Sequence, residues 1–448
     1  MQTRKKRLAR ALSLVLSLLM LLTVAAGCGS ANEQDNNGTS TPATKAETGN
    51  KQAGGPVPIT MWGWNAGEIE KIVDAYIKLT NANISLDYVT VQQMEAFQKL
   101  QTTINAGLDM PDIVPSEINQ RGTMMSLDIW EDLSKEPFNF DESLTFDYFM
   151  PLCKNEKGEL VCLPYDVSTA ALAYKKDMAK QYLGTDDPEE LQKMLPDWDT
   201  FKKVGLEVRD KSDGKIFMFA SLTNVKQIID GQNPAPIIKD NVLDMDSSVR
   251  KTVTRMVDFR DSGIVDNIIE SSPAYNASYA ERKHIFYPCA SWSPNYVITP
   301  NDPDGVDAWG LMIPPEGCFS WGGSGFMIPR KALHKQEAFN LVSWFLTEEG
   351  TKSQRETVRF NISNRQAYDD PEFAQLTEKS FGDQNLGQIL FVEAMKNINV
   401  RPVSVHDVVI TDTFNLVTEA INNDRTIGVD GALKMIETEL RNKIPDLK

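Results

Sequence analysis

Apolar residues from position 57 onward alternate between the spacings of strands and helices. A short apolar run at 59–62 is typical of a buried strand, and the alternation over 84–88 is typical of a half-buried one. Between them, apolar residues over 69–77 recur at the spacing of an amphipathic helix. A second helix over 97–104 and a strand at 112–115 follow. This order predicts a parallel sheet covered by helices, in which ligands bind beyond the carboxyl ends of the strands.

Similar patterns continue through the rest of the chain. Further strands are predicted at 170–174, 216–220, 285–287 and 326–329. Helices are predicted to begin near Asp197 and Val249 and to cover 338–345, and the chain from Gln388 onward is mostly helical. These patterns predict an α/β protein with two lobes.

The N-terminus indicates export. Residues 1–10 are basic and carry no acid, and 11–27 form an apolar run that ends in small residues. A charged segment, an apolar segment and small residues at the cut predict a signal peptide over 1–27. Residues 28–56 are polar and lack apolar periodicity, so we predict a flexible tether there.

The remaining composition is that of an acidic globular protein. Asp and Glu number 62 against 46 Lys and Arg, for a formal net charge of −16. This charge excludes nucleic acid as a partner, because phosphate backbones are bound by clustered Lys and Arg. Beyond the N-terminus no run approaches the roughly 18 apolar residues that span a bilayer. We therefore expect a soluble body of two or three domains.

Four cysteines follow the tether, at Cys153, Cys162, Cys289 and Cys318. Residues 157–158 are typical of a two-residue hairpin turn, which would place Cys153 opposite Cys162 within disulfide reach. We therefore predict a Cys153–Cys162 disulfide and leave the other two cysteines as a weaker second pair. The alternative is four buried free thiols. The spacing, without a neighbouring His, does not suit zinc.

A series of motifs occurs in a recognisable order. They are Ile-Thr-Met-Trp-Gly-Trp at 59–64, Pro-Asp-Ile-Val at 111–114, Leu-Pro-Tyr-Asp at 163–166, Cys-Ala-Ser-Trp at 289–292 and Trp-Gly-Gly-Ser-Gly-Phe-Met-Ile-Pro at 321–329. Together they resemble the extracellular solute-binding proteins of bacterial ABC sugar importers (family 1, the maltose-binding-protein-like class). The resemblance covers residues 57–448.

This resemblance implies a two-lobed periplasmic-binding-protein type II fold, with a multi-strand hinge and a ligand cleft between the lobes. We assign 57–167 and 323–372 to lobe 1, and 168–322 and 373–448 to lobe 2. The glycines at 322–323 support a hinge crossing there, because glycine tolerates large changes in φ and ψ. A plain turn between strands is the alternative.

Cys28 follows Ala-Gly and resembles the lipobox of bacterial lipoproteins, in which the thiol is acylated. Several acyl chains would anchor the protein stably at the outer face of the cytoplasmic membrane. The alternative is a chance cysteine after a plain signal peptide. The implied partners are a carbohydrate ligand, the transmembrane subunits of an ABC permease and the membrane itself, and we expect a monomer that needs no cofactor and no metal.

Carbohydrates present apolar C–H faces and a rim of hydroxyls, so their sites combine aromatic platforms with polar partners. The resemblance implies that Trp292 is the stacking aromatic residue of lobe 2. Glu117 and Asp166, at a strand end and the hinge, are suited to accept hydrogen bonds from hydroxyls. For each candidate the alternative is core packing, a cap or a solvated loop. The candidate ligand-binding residues are Trp62, Trp64, Asn65, Ser116, Glu117, Tyr165, Asp166, Trp292, Trp321, Gly322, Gly323 and Arg359.

None of the catalytic motifs that we considered is complete in this sequence. The three histidines, at 284, 334 and 406, are too scattered for a triad or a metal site. The Gly-Gly-Ser-Gly-Phe run at 322–326 lacks the final glycine of a nucleophile elbow. We therefore expect a transport receptor and no enzyme. Two alternatives stay open, namely the same fold with a non-sugar solute (peptide, polyamine or polyol) and a secreted glycan-active enzyme.

Overall fold

A computed structural model describes residues 55–167, 169–270, 272–358 and 362–448. The predicted signal peptide, Cys28, all but the last two residues of the predicted tether, and Arg359 lie outside these ranges. Within them, no helix has both the length and the apolar character needed to cross a bilayer.

The strands are β1 (Val57–Gly63), β2 (Ile84–Thr90), β3 (Val114–Glu117), β4 (Leu163–Pro164), β5 (Thr169–Lys175), β6 (Phe217–Phe219), β7 (Ile238–Lys239), β8 (Val242–Leu243), β9 (His284–Ala290), β10 (Trp309–Met312), β11 (Phe319–Ser320) and β12 (Ser324–Met327).

The α-helices are α1 (Ala66–Thr80), α2 (Ala96–Asn105), α3 (Ile118–Met125), α4 (Lys176–Leu183), α5 (Pro188–Met194), α6 (Trp198–Lys211), α7 (Leu222–Gly231), α8 (Met245–Ser248), α9 (Arg250–Ser262), α10 (Pro273–Ser278), α11 (Thr299–Asn301), α12 (Lys335–Trp344), α13 (Glu348–Val358), α14 (Pro371–Ala374), α15 (Asp407–Asn423) and α16 (Val429–Lys443). Short 3-10 or π turns lie at Gln93–Glu95, Glu142–Leu144, Met150–Cys153, Pro294–Ile298, Arg365–Asp369, Lys379–Phe381, Gln388–Glu393 and Ala394–Asn397.

The first sheet begins with the predicted parallel strands. β1 runs parallel to β2, with Val57 opposite Ile84, and a parallel bridge joins Met61 to Ile113 just before β3. β12 then lies antiparallel between β3 and β4. The prediction of a parallel sheet is therefore confirmed for the first strands, and the later strand β12 completes the sheet from far along the chain.

Helices cover this sheet through the apolar faces that the sequence predicts. Ile72 and Val73 of α1 and Leu100 of α2 are each at most 1% exposed. The ring of Tyr76 on α1 meets that of Trp344 on α12 edge to face, with centroids 5.2 Å apart. We call this sheet and the elements packed on it the first lobe.

The second sheet is built around β5. This strand is antiparallel to β9, β10 and β11, and β6 runs parallel to β9. Every residue of β5 is buried, as expected for a strand covered on both faces. Phe414 of α15 and Ile436 of α16 are buried in the same lobe, at 3% and 1% exposure. We call this sheet and its helices the second lobe.

The chain passes between the lobes through short segments. β4 belongs to the first lobe and the next strand, β5, to the second; β11 belongs to the second lobe and β12 to the first. Gly322 and Gly323 lie in the latter passage, with φ of 86° and 116° in the left-handed region that favours glycine. The two-lobed α/β architecture is confirmed.

The segment just before residue 372 contacts both lobes, since Ser363 bonds to Thr145 and Pro164 of the first lobe. Ile362 and Ala367, which the sequence analysis groups with lobe 1, pack in a core cluster with Ala171 of β5 and Tyr287 of β9 in the second lobe. The assignment of the remaining residues to the two lobes stays a prediction.

Arg121 on α3 is a fully buried charge where the first lobe meets the glycine passage. Its Nη2 donates to the carbonyl oxygens of Gly323 at 2.7 Å and Ser116 at 3.3 Å, and its Nε donates to Ser116 Oγ at 3.2 Å. The guanidinium also lies 5.3 Å from the ring centroid of Phe149. Arg121 therefore ties the end of β3 to the strand that enters from the second lobe.

The hairpin register that favoured a disulfide is wrong. Gly158 has φ 77°, its N–H donates to the Asn155 carbonyl at 2.9 Å, and the loop has three residues where two were predicted. Lys154 consequently pairs with Leu160, and the N–H of Val161 donates to the Cys153 carbonyl at 3.1 Å. The three-residue loop thus shifts the strand pairing by one residue, so Cys153 is not directly opposite Cys162.

Cys153 and Cys162 are free, buried thiols in the structure, as are Cys289 and the half-buried Cys318. Burial and the hydrogen bond that its thiol donates to Cys162 raise the pKa of Cys153. For Cys162, burial is outweighed by the hydrogen bond with Cys153 and the charge of Arg121, so its pKa is lowered. The two thiols thus share one hydrogen bond beside the buried guanidinium.

Arg121→Met should destabilise the protein by about 3–5 kcal/mol, because it leaves two carbonyl oxygens and nearby carboxylates without their buried partner. Urea unfolding followed by circular dichroism measures this. Arg330→Met is the matched control, since Arg330 pairs with Asp128 at 3.0 Å on the exposed surface and should matter little. Equal stability of Arg121→Met and wild type would contradict this role.

Candidate functional site

Residues of both lobes enclose a cavity of about 610 Å³. Its first-lobe wall is formed by the residues before α2 and by the start of α3. The second-lobe wall comes from α7, the start of α10, the turn after β9 and residues 320–322. The segment 400–407 and the start of α15 close a third side. The cavity therefore lies where the first residues of α3, α10 and α15 meet the segments that connect the lobes.

Two tryptophans from the predicted set form an aromatic pair on the second-lobe wall. The rings of Trp292 and Trp321 lie with centroids 4.7 Å apart at 59°, and both are half-buried. The Trp292 indole N–H donates to the Trp321 carbonyl at 3.4 Å. Gly322, also predicted, lines the cavity beside them. The pair offers an apolar surface with polar groups around it, as a carbohydrate site requires.

The start of α3 presents a helix N-terminus to the cavity, where Ile118 and Asn119 line the wall. Glu117 lies behind them as the cap of α3, and its carboxylate accepts the Asn119 N–H at 2.8 Å. Burial raises the pKa of Glu117 to about 7, although the Asn119 hydrogen bonds and the Arg121 charge oppose this. Glu117 is thus placed as a cap, and it does not line the cavity.

Ser116, Asp166 and Gly323 also lie behind the wall. Ser116 and Gly323 hold Arg121, as described above, and the Gly323 carbonyl accepts the Ile118 N–H at 3.2 Å. Asp166 is 4% exposed and accepts the Ser324 N–H at 3.0 Å. These predicted residues form the framework of the passage between the lobes and leave the ligand surface to their neighbours.

Trp62 and Trp64 do not line the cavity. Trp62 is 5% exposed in the first-lobe core, with Lys99 Nζ 4.9 Å from its ring centroid. The end of β1 is buried from Met61 to Gly63, so Trp62 packs inward. Trp64 is half-buried just beyond the strand. Trp62 therefore packs in the core, which is the alternative that the sequence analysis kept open.

Asn65 and Tyr165 also lie outside the cavity wall. The Asn65 backbone N–H donates to the Tyr88 hydroxyl at 3.1 Å, which fixes the start of α1. Tyr165 is 4% exposed, and its hydroxyl donates to the carboxylate of Glu68 on α1. Both residues organise the first lobe close to its contact with the second.

The segment 400–407 is bonded to both lobes. Arg401 donates to Asp230 Oδ1 and to the Ala235 carbonyl, both at 2.9 Å in the second lobe. Asp407 accepts the N–H of Gly122 in the first lobe at 3.0 Å. Burial raises the pKa of Asp407 to about 7, and the charge of Glu117 adds to this while the hydrogen bonds oppose it. The segment therefore holds one side of the cavity between the lobes.

Several lining residues were missed from the sequence, among them Asn119, Gln227, Glu270, Arg401 and Asp407. A signal existed for two of them. Asn119 follows a predicted strand end, and Arg401 is a lone cation in an Arg-Pro-Val run at 401–403. Gln227 and Glu270 carried no local signal, because only the packing of α7 against the loop before α10 brings their side chains together, at 3.1 Å.

Among the described residues, no group of three or more His, Cys, Asp or Glu side chains is arranged to hold a metal ion.

Two α/β lobes joined by crossing strands, with a polar and aromatic cavity between them, define the class of two-lobed binding proteins with the type II fold. The chain belongs to the family of bacterial extracellular solute-binding proteins, whose family model matches residues 71–379. The predicted resemblance is thereby confirmed. No curated protein matches the chain significantly.

Solved structures share the fold at low sequence identity. An extracellular solute-binding protein of family 1 has a TM-score of 0.76 at 19% identity, covering 86% of this chain and 100% of its own. The sugar-binding protein MalE of Xanthomonas citri has a TM-score of 0.68 at 17% identity, with 86% and 98% covered. The galacto-N-biose-/lacto-N-biose I-binding protein of Bifidobacterium longum, in complex with lacto-N-biose, has a TM-score of 0.68 at 16% identity, with 87% and 98% covered.

Glu117→Gln should reduce the pH dependence of stability. The raised pKa means that the folded state holds a proton that the unfolded chain releases near pH 4.5, so stability falls as pH rises through about 7. Glutamine keeps an acceptor for the cap but does not titrate. Between pH 5 and pH 8, urea unfolding should show a smaller loss of unfolding free energy for Glu117→Gln than for wild type, and the difference should be at most about 3 kcal/mol. If wild type and Glu117→Gln lose the same unfolding free energy between these pH values, the raised pKa of Glu117 is refuted.

Proposed function

We propose that this solute-binding protein is a lipid-anchored receptor that captures a carbohydrate in the cavity between its lobes and delivers it to an ABC permease. The observation that carries the proposal is the Trp292–Trp321 pair in a cavity shared by both lobes. An aromatic surface takes the C–H face of a sugar ring, and polar groups around it take the hydroxyls.

The size and lining of the cavity support a short oligosaccharide. Its volume of about 610 Å³ lies within the range of about 300–1,000 Å³ typical of small-molecule pockets. Of the charged lining residues, Arg401 and Asp230 neutralise each other at 2.9 Å. This balance supports a neutral ligand over a phosphorylated one, which would need several free cations.

Structural neighbours support the same class of ligand. One of them is a binding protein of Bifidobacterium animalis subsp. lactis in complex with β-1,6-galactobiose, and the Bifidobacterium longum protein holds lacto-N-biose. The proposed mechanism is a population shift. A ligand that contacts both lobes favours their approach, and the permease recognises that form. No chemical turnover is involved.

When the protein is screened against a panel of mono- and oligosaccharides, we expect one family of glycans to raise its thermal unfolding midpoint. A ligand at about 100 times its Kd adds about 2.7 kcal/mol of stability, which differential scanning fluorimetry detects easily. Trp292→Ala should lose most of this shift. Trp64→Ala, a half-buried tryptophan outside the cavity, is the matched control and should keep it.

The glycan is then recovered and sized. An intact glycan supports a receptor, and a shortened one would point to a glycan-active enzyme. If no sugar shifts the midpoint, the carbohydrate assignment fails, and peptides, polyamines and polyols are screened next.

We further propose that Cys28 carries the lipid anchor, since it follows Ala-Gly at the end of an apolar run. Cys28→Ser should move the protein from the membrane fraction to the medium in a lipoprotein-processing host, as immunoblotting of both fractions would show. Incorporation of a labelled fatty acid into wild type but not into Cys28→Ser would support acylation of this thiol, and the absence of label from wild type would contradict it.

A further inference from the structure

The two lobes also touch through side chains outside the cavity. Tyr296 lies in the short π turn Pro294–Ile298 of the second lobe, and its hydroxyl donates to the carboxylate of Glu68 on α1 of the first lobe. Tyr165 donates to the other oxygen of the same carboxylate from within the first lobe. Glu68 therefore accepts one bond from each lobe.

A second bond leaves the same turn. Asn295 Nδ2 donates to the carbonyl oxygen of Val358, the last residue of α13, at 3.1 Å. α13 packs on α1 in the first lobe. Consecutive residues of one turn thus reach two neighbouring helices of the opposite lobe.

This turn also carries part of the cavity wall. Trp292 and Val297 line the cavity, and the Tyr296 N–H donates to the Trp292 carbonyl at 3.1 Å. The turn therefore presents the aromatic platform on one side and the contacts with the first lobe on the other. A π turn is wider than an α-helical turn and is frequent at functional sites, which suits residues that face two ways.

The contact depends on the hydroxyl of Tyr296 more than on packing. The residue is 40% exposed, so a large part of its side chain lies in solvent. Glu68, by contrast, is desolvated, and burial raises its pKa while the two tyrosine hydrogen bonds oppose this rise. A hydrogen bond to a charged acceptor in such a place is stronger than one between neutral groups.

We propose that Glu68, Tyr296 and Asn295 form a latch that holds the lobes together without ligand and positions the turn that carries Trp292. The latch draws part of the ligand-free population into the form in which the lobes touch. The ligand then has less of the closing free energy to supply, so its apparent affinity rises in proportion to that population. Glu68 and Tyr296 are positioning residues that act through Trp292.

The test needs no ligand, so it stands apart from the identity of the solute. Nitroxide labels are attached to the full-length protein at Leu333→Cys in the first lobe and Val242→Cys in the second, positions that are 80% and 49% exposed. A Cys28→Ser, Cys318→Ser background removes the thiol of the N-terminal segment and the half-buried native thiol. Double electron–electron resonance then gives the distance distribution between the lobes.

In wild type we expect a population at the short distance of the structure. Tyr296→Phe should lower the ratio of short to long distances about 10-fold, because one charge-assisted hydrogen bond is lost. Adding Asn295→Ala should lower it further. Tyr165→Phe is the matched control, since it removes a hydroxyl from the same carboxylate within one lobe and should leave the ratio nearly unchanged.

Thermal midpoints of all variants are measured in parallel to show that each lobe stays folded. The latch is refuted if Tyr296→Phe leaves the distance distribution unchanged, or if Tyr165→Phe and Tyr296→Phe open the lobes equally. It is also refuted if wild type shows only long distances. If no sugar binds but Tyr296→Phe still opens the lobes, the latch stands while the carbohydrate assignment falls.

Discussion

The buried guanidinium of Arg121 is the constraint on which the site depends. Arg121 has no contact with solvent, and its Nε and Nη2 donate to Ser116 and to the backbone carbonyl of Gly323, whereas its buried Nη1 has no hydrogen-bond partner among the described residues. Holding Gly323 fixes the passage between the lobes, and that passage carries Trp321 into the cavity. The position of the aromatic pair thus follows from a polar contact that never reaches the cavity. The carboxylates of Glu117 and Asp166 both attract the guanidinium of Arg121, so the charged groups of this cluster interact with one another.

Around this fixed passage, the lobes are held together by separate contacts of different kinds. The segment 400–407 is bonded to the second lobe by Arg401 and to the first by Asp407. Glu68 and Tyr296 meet elsewhere, on the turn that carries Trp292. All of these groups are polar, and polar contacts of this kind hold two lobes less permanently than a large apolar interface does. The short turn at 292–297 therefore carries both a cavity-lining aromatic residue and a contact with the first lobe.

Elements with strong local periodicity could be predicted from the sequence. The apolar spacing over 69–77 matches α1, and the alternation over 84–88 matches β2, because burial of one face imposes its period directly on the residues. The hairpin at 155–159 could not be predicted to the residue. Gly158 permits either a two-residue or a three-residue loop, and the carboxamide of Asn155, which accepts the N–H groups of Lys157 and Glu159, favours the longer one.

For the site, order along the chain was enough to identify the family and the two lobes, and it placed Trp292 among the candidate residues. It could not separate Trp292 from Trp62, since both follow apolar strands. That distinction arises only when sheets and helices assemble: the end of β1 is covered on both sides, whereas the turn after β9 faces the opposite lobe. Gln227 and Glu270 likewise meet only in the folded chain. A residue's own neighbours decide whether it forms a strand or a helix, but whether it contacts a ligand depends on what packs against it from distant parts of the chain.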